Sequence, residues 1–244
     1  MAEAKTREHV LIVGGSSGMG LALAERLLTA GVAVTIVGRS SERLSQAREK
    51  LGKVSWLQTV GADATREDDV ERLFRSVGDL HHIVSTAADV GGVYVPLPDM
   101  NISTARRVVD SKVIAPLLLA KHGAPRLAPG GSITFTSGIA AYRPAPKGSV
   151  VAAINGAIES LVYALAVELA PIRVNAVSPG WVDTPIWDSV AGEGKNAALE
   201  AMAKRLPVGR IGQAGDIAQA IESIMRNGFI SGTVVHVDGG QRLV

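Results

Sequence analysis

Seven residues, all but one of them glycine or serine, Gly14-Gly15-Ser16-Ser17-Gly18-Met19-Gly20, follow the apolar run HVLIV and lead into the amphipathic stretch GLALAERLLTAG. Glycines at such a turn let the backbone close on a phosphate, and the unpaired N–H groups at the start of the next helix attract its charge. Strand, glycine turn and helix in that order make Gly14, Ser16, Ser17, Gly18, Met19 and Gly20 candidate ligands of a dinucleotide pyrophosphate. The turn is not a P-loop, because no Gly-Lys-Ser/Thr follows it. The second apolar run ends in Val37-Gly38-Arg39-Ser40. An acidic side chain there would hold both ribose hydroxyls of NAD and repel a 2′-phosphate. Arg39 instead offers a planar fork suited to a phosphate, with Ser40 beside it, so these residues favour NADP(H) over NAD(H).

Other chemistries find less support. The chain has no cysteine, which removes disulfides, thiolate zinc sites and a cysteine nucleophile and suits a reducing compartment. The five histidines (His9, His81, His82, His122 and His236) show no ligand spacing, so no metal site is expected. Asp68 and Asp69, with Glu67, Glu71 and interleaved arginines, read as a solvated helix face. No Gly-x-Ser-x-Gly elbow marks a hydrolase. A formal net charge of +2 gives no reason to expect nucleic acid. The polar start MAEAKTREHV is unlike a secretory signal, and no apolar run approaches the roughly 18 residues of a membrane span. The expectation is a soluble, cytoplasmic protein that acts on a small molecule, with no membrane or nucleic-acid partner.

The elements that must position the glycine turn are legible as alternation. Apolar runs HVLIVGG, VAVTIVG, VSWLQTV, HHIVSTAA, SITFTSG, IRVNAVSPG and TVVHVDGG are separated by stretches of helical period such as REDDVERLFRSVG, with Val70, Leu73, Phe74 and Val77 on one face. Strands apolar nearly throughout, each followed by a helix, imply a parallel sheet covered on both faces. Right-handed crossovers then give a doubly wound α/β sheet of about seven strands, with ligands at the strands' carboxyl ends. At 47% apolar and 20% charged over 244 residues, one ordered domain spanning 1–244 is expected. The segment 185–212 interrupts the alternation, and its VAGEGKNAALEAM reads as a mobile lid or binding loop.

Several of these stretches resemble one family. Gly14-x-x-x-Gly18-x-Gly20 is similar to the glycine motif of the short-chain dehydrogenase/reductase family, where a threonine usually stands in place of Val13. Ala62-Asp63-Ala64 resembles its adenine-contacting aspartate, Ser178-Pro179-Gly180-Trp181-Val182-Asp183-Thr184 its nicotinamide loop, and Val237-Asp238-Gly239-Gly240 its C-terminal signature. The resemblance covers essentially the whole chain. It implies a Rossmann-type fold and a nicotinamide cofactor touched by Asp63, Ala64, Ala87, Asn155, Pro179, Gly180, Val182 and Thr184. It also implies a homodimer or homotetramer formed through the long fourth and fifth helices.

The same resemblance exposes a loss. The family reduces carbonyls with a Tyr-x-x-x-Lys pair supported by a serine and an asparagine. Here those positions fall on Val151, Asn155, Gly138 and Lys112, in that order, and Ser85-Thr86-Ala87-Ala88 replaces the family's Asn-Asn-Ala-Gly. The three tyrosines, Tyr94, Tyr142 and Tyr163, are followed four residues on by Pro98, Pro146 and Val167, so no Tyr-x-x-x-Lys exists in any register. A positioned general acid contributes about 10²–10⁴ in rate, and an oxyanion donor a further factor of about 10²–10³. Substitutes are Lys112, whose position faces the site in the family, Tyr142 just beyond the fifth strand, and Ser137 beside Gly138, with Lys147 a weaker choice. Three readings follow: an NADP-dependent oxidoreductase with a rebuilt proton-donating site, a non-redox lyase, isomerase or cyclase using Lys112 or Tyr142, and a non-catalytic partner that holds nucleotide.

Overall fold

The computed structural model describes residues 7–190 and 192–244. Seven parallel strands form the central sheet: β1 (His9–Val13), β2 (Ala33–Gly38), β3 (Leu57–Gly61), β4 (Leu80–Ser85), β5 (Leu127–Thr136), β6 (Arg173–Pro179) and β9 (Val234–Val237). Their order is β3-β2-β1-β4-β5-β6-β9, and a short parallel pair, β7 (Val182–Asp183) with β8 (Gly212–Gln213), lies apart from them. The order reverses between β1 and β4, which opens a crevice at the carboxyl ends of those strands.

Period-two alternation sends successive residues to opposite faces. Leu11 and Val13 join Ile83, Ile133 and Phe135 in one apolar layer, and Val10 and Ile12 join Val34, Ile36 and Val84 in the other. The first layer is covered by α3 (Glu67–Ser76), α5 (Ala115–Gly123) and α6 (Ser149–Glu168). The second is covered by α1 (Gly18–Thr29), α2 (Ser41–Leu51) and α9 (Ala214–Arg226). This is a single-domain, doubly wound α/β fold.

Five details depart from the pattern read in the sequence. The third strand begins only at Leu57, after Val54 and Trp56, and the fifth begins at Leu127, with a register shift against β4 between Leu80 and His82. Between α4 (Ile102–Val109) and α5, residues Asp110–Ile114 form a π-helical turn that carries Lys112 inward. Such turns widen a helix locally and recur at functional sites. Within the segment 185–212, the described residues include two helices that its glycines do not suggest, α7 (Ile186–Val190) and α8 (Lys195–Ala203). Finally, α6 corrects the expectation that no stretch is apolar enough to span a bilayer: its 20 residues, with a mean hydropathy of 1.8, meet that criterion by length and composition. Its Ile154, Ile158, Val162 and Leu165 are buried in the protein, as the core-facing stripe of an α/β helix requires.

The edge of the fold where β1 and β4 begin holds a titrating core group. His82 is 8% exposed, with its Nδ1 2.7 Å from Ser132 Oγ. Burial pushes its imidazole from 6.5 down to about 4, so the folded state holds the ring neutral. Between those two values the unfolded chain binds the extra proton, so stability falls as the pH drops through that interval, by up to about 3 kcal/mol. Urea denaturation is expected to show a lower midpoint at pH 4.5 than at pH 7, with His82→Asn losing a large part of the difference.

Candidate active site

The glycine turn is built by close approach more than by flexibility. Gly14 has φ +85°, and a Cβ there would stand 2.7 Å from the Ala87 backbone nitrogen. A Cβ on Gly20 would stand 2.4 Å from the Gly14 carbonyl oxygen and 2.5 Å from Thr86 Oγ1. Helix α1 therefore seats directly on the turn and on the end of β4. Ser17 precedes α1 in extended conformation without a side-chain capping bond, which leaves the first helical N–H groups open to an anion. Ser16 lies below Gly38, and Gly18 (φ +51°) and Met19 face Thr184 and the cavity described below.

The adenosine end lies beyond β2 and β3. The Arg39 side chain is 62% exposed, and its Nη2 is 3.6 Å from Asp89 Oδ2, a carboxylate also paired with Arg107. Ser40 caps α2 by accepting from the Arg43 N–H at 3.2 Å. Asp63 accepts from the Thr65 N–H at 3.0 Å and the Thr65 hydroxyl at 2.8 Å, with Ala64 buried beside it.

A cavity of about 690 Å³ opens where the carboxyl ends of β4, β5 and β6 meet α6, α7 and α8. Its upper wall is the loop from Pro179 to Thr184. A Cβ on Gly180 would stand 2.8 Å from Asp238 Cα, and the Trp181 N–H donates to Gln241 Oε1 at 3.0 Å. The Pro-Gly loop is thus clamped to the C-terminal Val237-Asp238-Gly239-Gly240 segment, which is the physical role of that signature here. Trp187 Nε1–H donates to the Val182 carbonyl at 2.8 Å, and the Trp181 and Trp187 rings lie 4.4 Å apart at the cavity wall.

The floor brings together Lys112, Gly138, Val151 and Asn155. Lys112 is 5% exposed, and its ammonium donates to the Thr136 carbonyl. Burial pulls its pKa down to about 8. No carboxylate pairs with it among the described residues. A Cβ on Gly138 would stand 2.8 Å from Asn155 Nδ2, so the amide fills the space that a serine side chain would need. Val151 is buried and offers no hydroxyl.

Ser137 also lines the cavity, but its hydroxyl donates to Glu159 Oε1 at 2.8 Å and lies 3.2 Å from the Asn155 carbonyl. Tyr142 is not among the cavity residues. Its hydroxyl donates to Glu159 Oε2 at 2.6 Å, and its ring stands edge-on to His236 with centroids 4.5 Å apart. Burial and the Glu159 carboxylate push the Tyr142 phenol well above its ordinary value. Lys147 adopts φ +66° outside the cavity lining. Glu159, 8% exposed, escaped sequence reasoning, although a lone carboxylate on the buried stripe of so apolar a helix is a readable signal. The fold also gathers Glu67, Glu71 and His122, whose ligand atoms lie within 4.8 Å of one another. Glu67 is already held by Lys121 at 2.6 Å and His122 at 2.9 Å, and none of the three lines the cavity.

A sheet that reverses at β1, a glycine turn closed on β4 and a cavity over the next strand ends define a doubly wound, Rossmann-type α/β protein. Residues 13–242 match the family model described as enoyl-(acyl carrier protein) reductase. The short-chain dehydrogenase/reductase malC of Malbranchea aurantiaca is 35% identical over 252 residues, covering 97% of this chain and 95% of its own length. Its solved structure, described as the MalC reductase/Diels-Alderase, superposes with a TM-score of 0.89 at 34% identity over 98% of this chain and 96% of that one. A small-chain dehydrogenase solved in complex with NADPH is 33% identical, with a TM-score of 0.83 over 98% of this chain and all of that one. The chain belongs to the short-chain dehydrogenase/reductase family.

Gly20→Ala tests the turn, because its methyl group must displace the Gly14 carbonyl. NADPH affinity, followed by tryptophan fluorescence, is expected to fall at least about tenfold, with the far-ultraviolet circular dichroism retained.

Proposed function

We propose that this chain is an NADP(H)-dependent oxidoreductase for a small carbonyl, alcohol or imine, in which Lys112 takes over the proton-donating and charge-stabilising work of the missing Tyr-Lys pair. The observation that carries this reading is the buried Lys112 ammonium on the floor of the cavity that runs between the nicotinamide loop and α6. In the family resemblance, asparagine stands at 112 and lysine at 155. Here the two residue types have traded places, so a cation is kept at the cavity floor.

The residues fit the cofactor. The cradle at Gly14 and Gly20 has no room for a side chain, and the open start of α1 suits a pyrophosphate. Ser16, Ser17, Gly18 and Met19 would hold that pyrophosphate, Arg39 and Ser40 the 2′-phosphate, and Asp63 and Ala64 the adenine. Ala87, Asn155, Pro179, Gly180, Val182 and Thr184 would surround the ribose and nicotinamide. When bound, the nicotinamide supplies or accepts the hydride. The chain's own part is to stabilise the developing oxyanion and to move its proton. An ammonium whose pKa lies near 8 is a better acid at neutral pH than an ordinary lysine, and in an apolar cavity its charge acts at low dielectric. Asn155 can hydrogen-bond a ribose without carrying charge. Helices α7 and α8, within the 185–212 segment, form the lid that excludes water. The NADPH-bound relative supports the choice of cofactor. Exposed Ile102, Val109, Leu117, Tyr163 and Val167 on α4, α5 and α6 support a homodimer or homotetramer, and we place the enzyme in the cytoplasm.

A second reading is non-redox chemistry on the same scaffold. It is favoured by the roomy apolar cavity and by the reductase/Diels-Alderase description of the malC structure. Product formation with stoichiometric loss of absorbance at 340 nm supports the redox reading, and product without that loss supports the other. Lys112→Ala is expected to lower single-turnover rates about 10²-fold or more while changing NADPH affinity less than about threefold. Arg39→Asp is expected to move the ratio of NADPH to NADH affinity toward NADH by at least about tenfold, checked by parallel titrations.

A further inference from the structure

The charged side chains that line the cavity are all of one sign. Lys112, Arg143 and Arg205 face it, and no aspartate or glutamate stands among the described residues around it. Two of these cations are already in use. Lys112 donates to the Thr136 carbonyl at the floor, and Arg143 donates to the main chain of Val244. Arg205 is different. It follows α8 on the lid, its backbone N–H is anchored to the Met202 carbonyl at 2.9 Å, and its side chain has no hydrogen bond or ion pair among the described residues. Trp181 and Trp187, with rings 4.4 Å apart and tilted by 51°, supply aromatic surface between lid and floor.

We infer that the substrate is an aromatic molecule carrying a carboxylate, with its ring against Trp181 and Trp187 and its charge captured by Arg205. This rests on the reading that the cavity is the substrate site, and it deepens that reading by dividing the cations between two tasks. Lys112 serves the oxygen that changes in the reaction. Arg205 holds the charged group that does not, in the planar two-point geometry that guanidinium and carboxylate share. A positive cavity lined by no acidic side chain also disfavours cationic substrates, because like charges meet there. The cofactor's pyrophosphate does not meet this demand, since its cradle is the glycine turn at the start of α1.

The test is equilibrium binding of two probes of nearly equal shape, 2-naphthoate and the neutral 2-acetylnaphthalene, to the full-length protein with and without NADP⁺. Tryptophan quenching and calorimetry provide the readouts. Naphthoate is expected to bind about tenfold or more tighter than the ketone, and the advantage is expected to shrink at 1 M salt. Arg205→Glu is expected to abolish the preference while leaving affinity for acetylnaphthalene and NADP⁺ unchanged. Because Arg205 is exposed, this substitution does not strain the core. Equal binding of the two probes, an unaltered preference in Arg205→Glu, or binding of neither probe at millimolar concentration would overturn the inference. If the preference is found but NADPH is neither bound nor oxidised, the anion site stands and the redox reading falls.

Discussion

Helix α1 can seat on the turn after β1 only because Gly20 carries no side chain. A single methyl there would stand 2.4 Å from the Gly14 carbonyl oxygen, a distance that no packing tolerates. That contact fixes the end of β1 against Thr86 and Ala87, and so sets the height at which the ends of β4 and β5 present their residues. The open N–H groups at the start of α1, the crevice at the strand reversal and the cavity over β5 and β6 all take their positions from it. Burial of apolar residues on both faces makes the sheet stable, but it does not aim the sheet at a ligand. The glycine contact does.

Above that frame, the floor of the cavity shows how one substitution constrains another. The Asn155 amide stands where a side chain at 138 would have to go, so Gly138 and Asn155 are sterically one choice. A lysine at 112 reaches the Thr136 carbonyl from a π-helical turn, and one carbonyl dipole does not neutralise an ammonium. A buried charge with so little compensation costs stability, and the catalytic task proposed for Lys112 would offset that cost. Glu159 lies on the neighbouring helix, yet it takes its hydrogen bonds from the hydroxyls of Ser137 and Tyr142. Lys112 and Glu159 are thereby kept in separate networks, and the side chains lining the cavity carry a single sign of charge.

Fold class and the glycine turn after the first strand were legible in residue order alone. Apolar runs with β-branched residues, separated by stretches of period 3.6, have one economical arrangement, a parallel sheet with helices on both faces. The spacing of Gly14, Gly18 and Gly20 and the motifs at 62–64, 178–184 and 237–240 mark where the backbone packs closely, as the contacts at Gly14, Gly20 and Gly180 show. The absence of a Tyr-x-x-x-Lys pair was equally plain, since it needs only the residue types. Only the tertiary structure decided what surrounds each polar group. Local sequence does not encode whether a helix tightens or widens, so the π-helical turn that carries Lys112 was invisible, although the resemblance had pointed that position at the site. Tyr142 and Ser137 look like exposed acids until Glu159, 17 and 22 residues away, claims their hydroxyls. Arg205 and Lys112 share a cavity though 93 positions separate them, the difference of their residue numbers, because burial, charge balance and hydrogen-bond partners are properties of the packed chain.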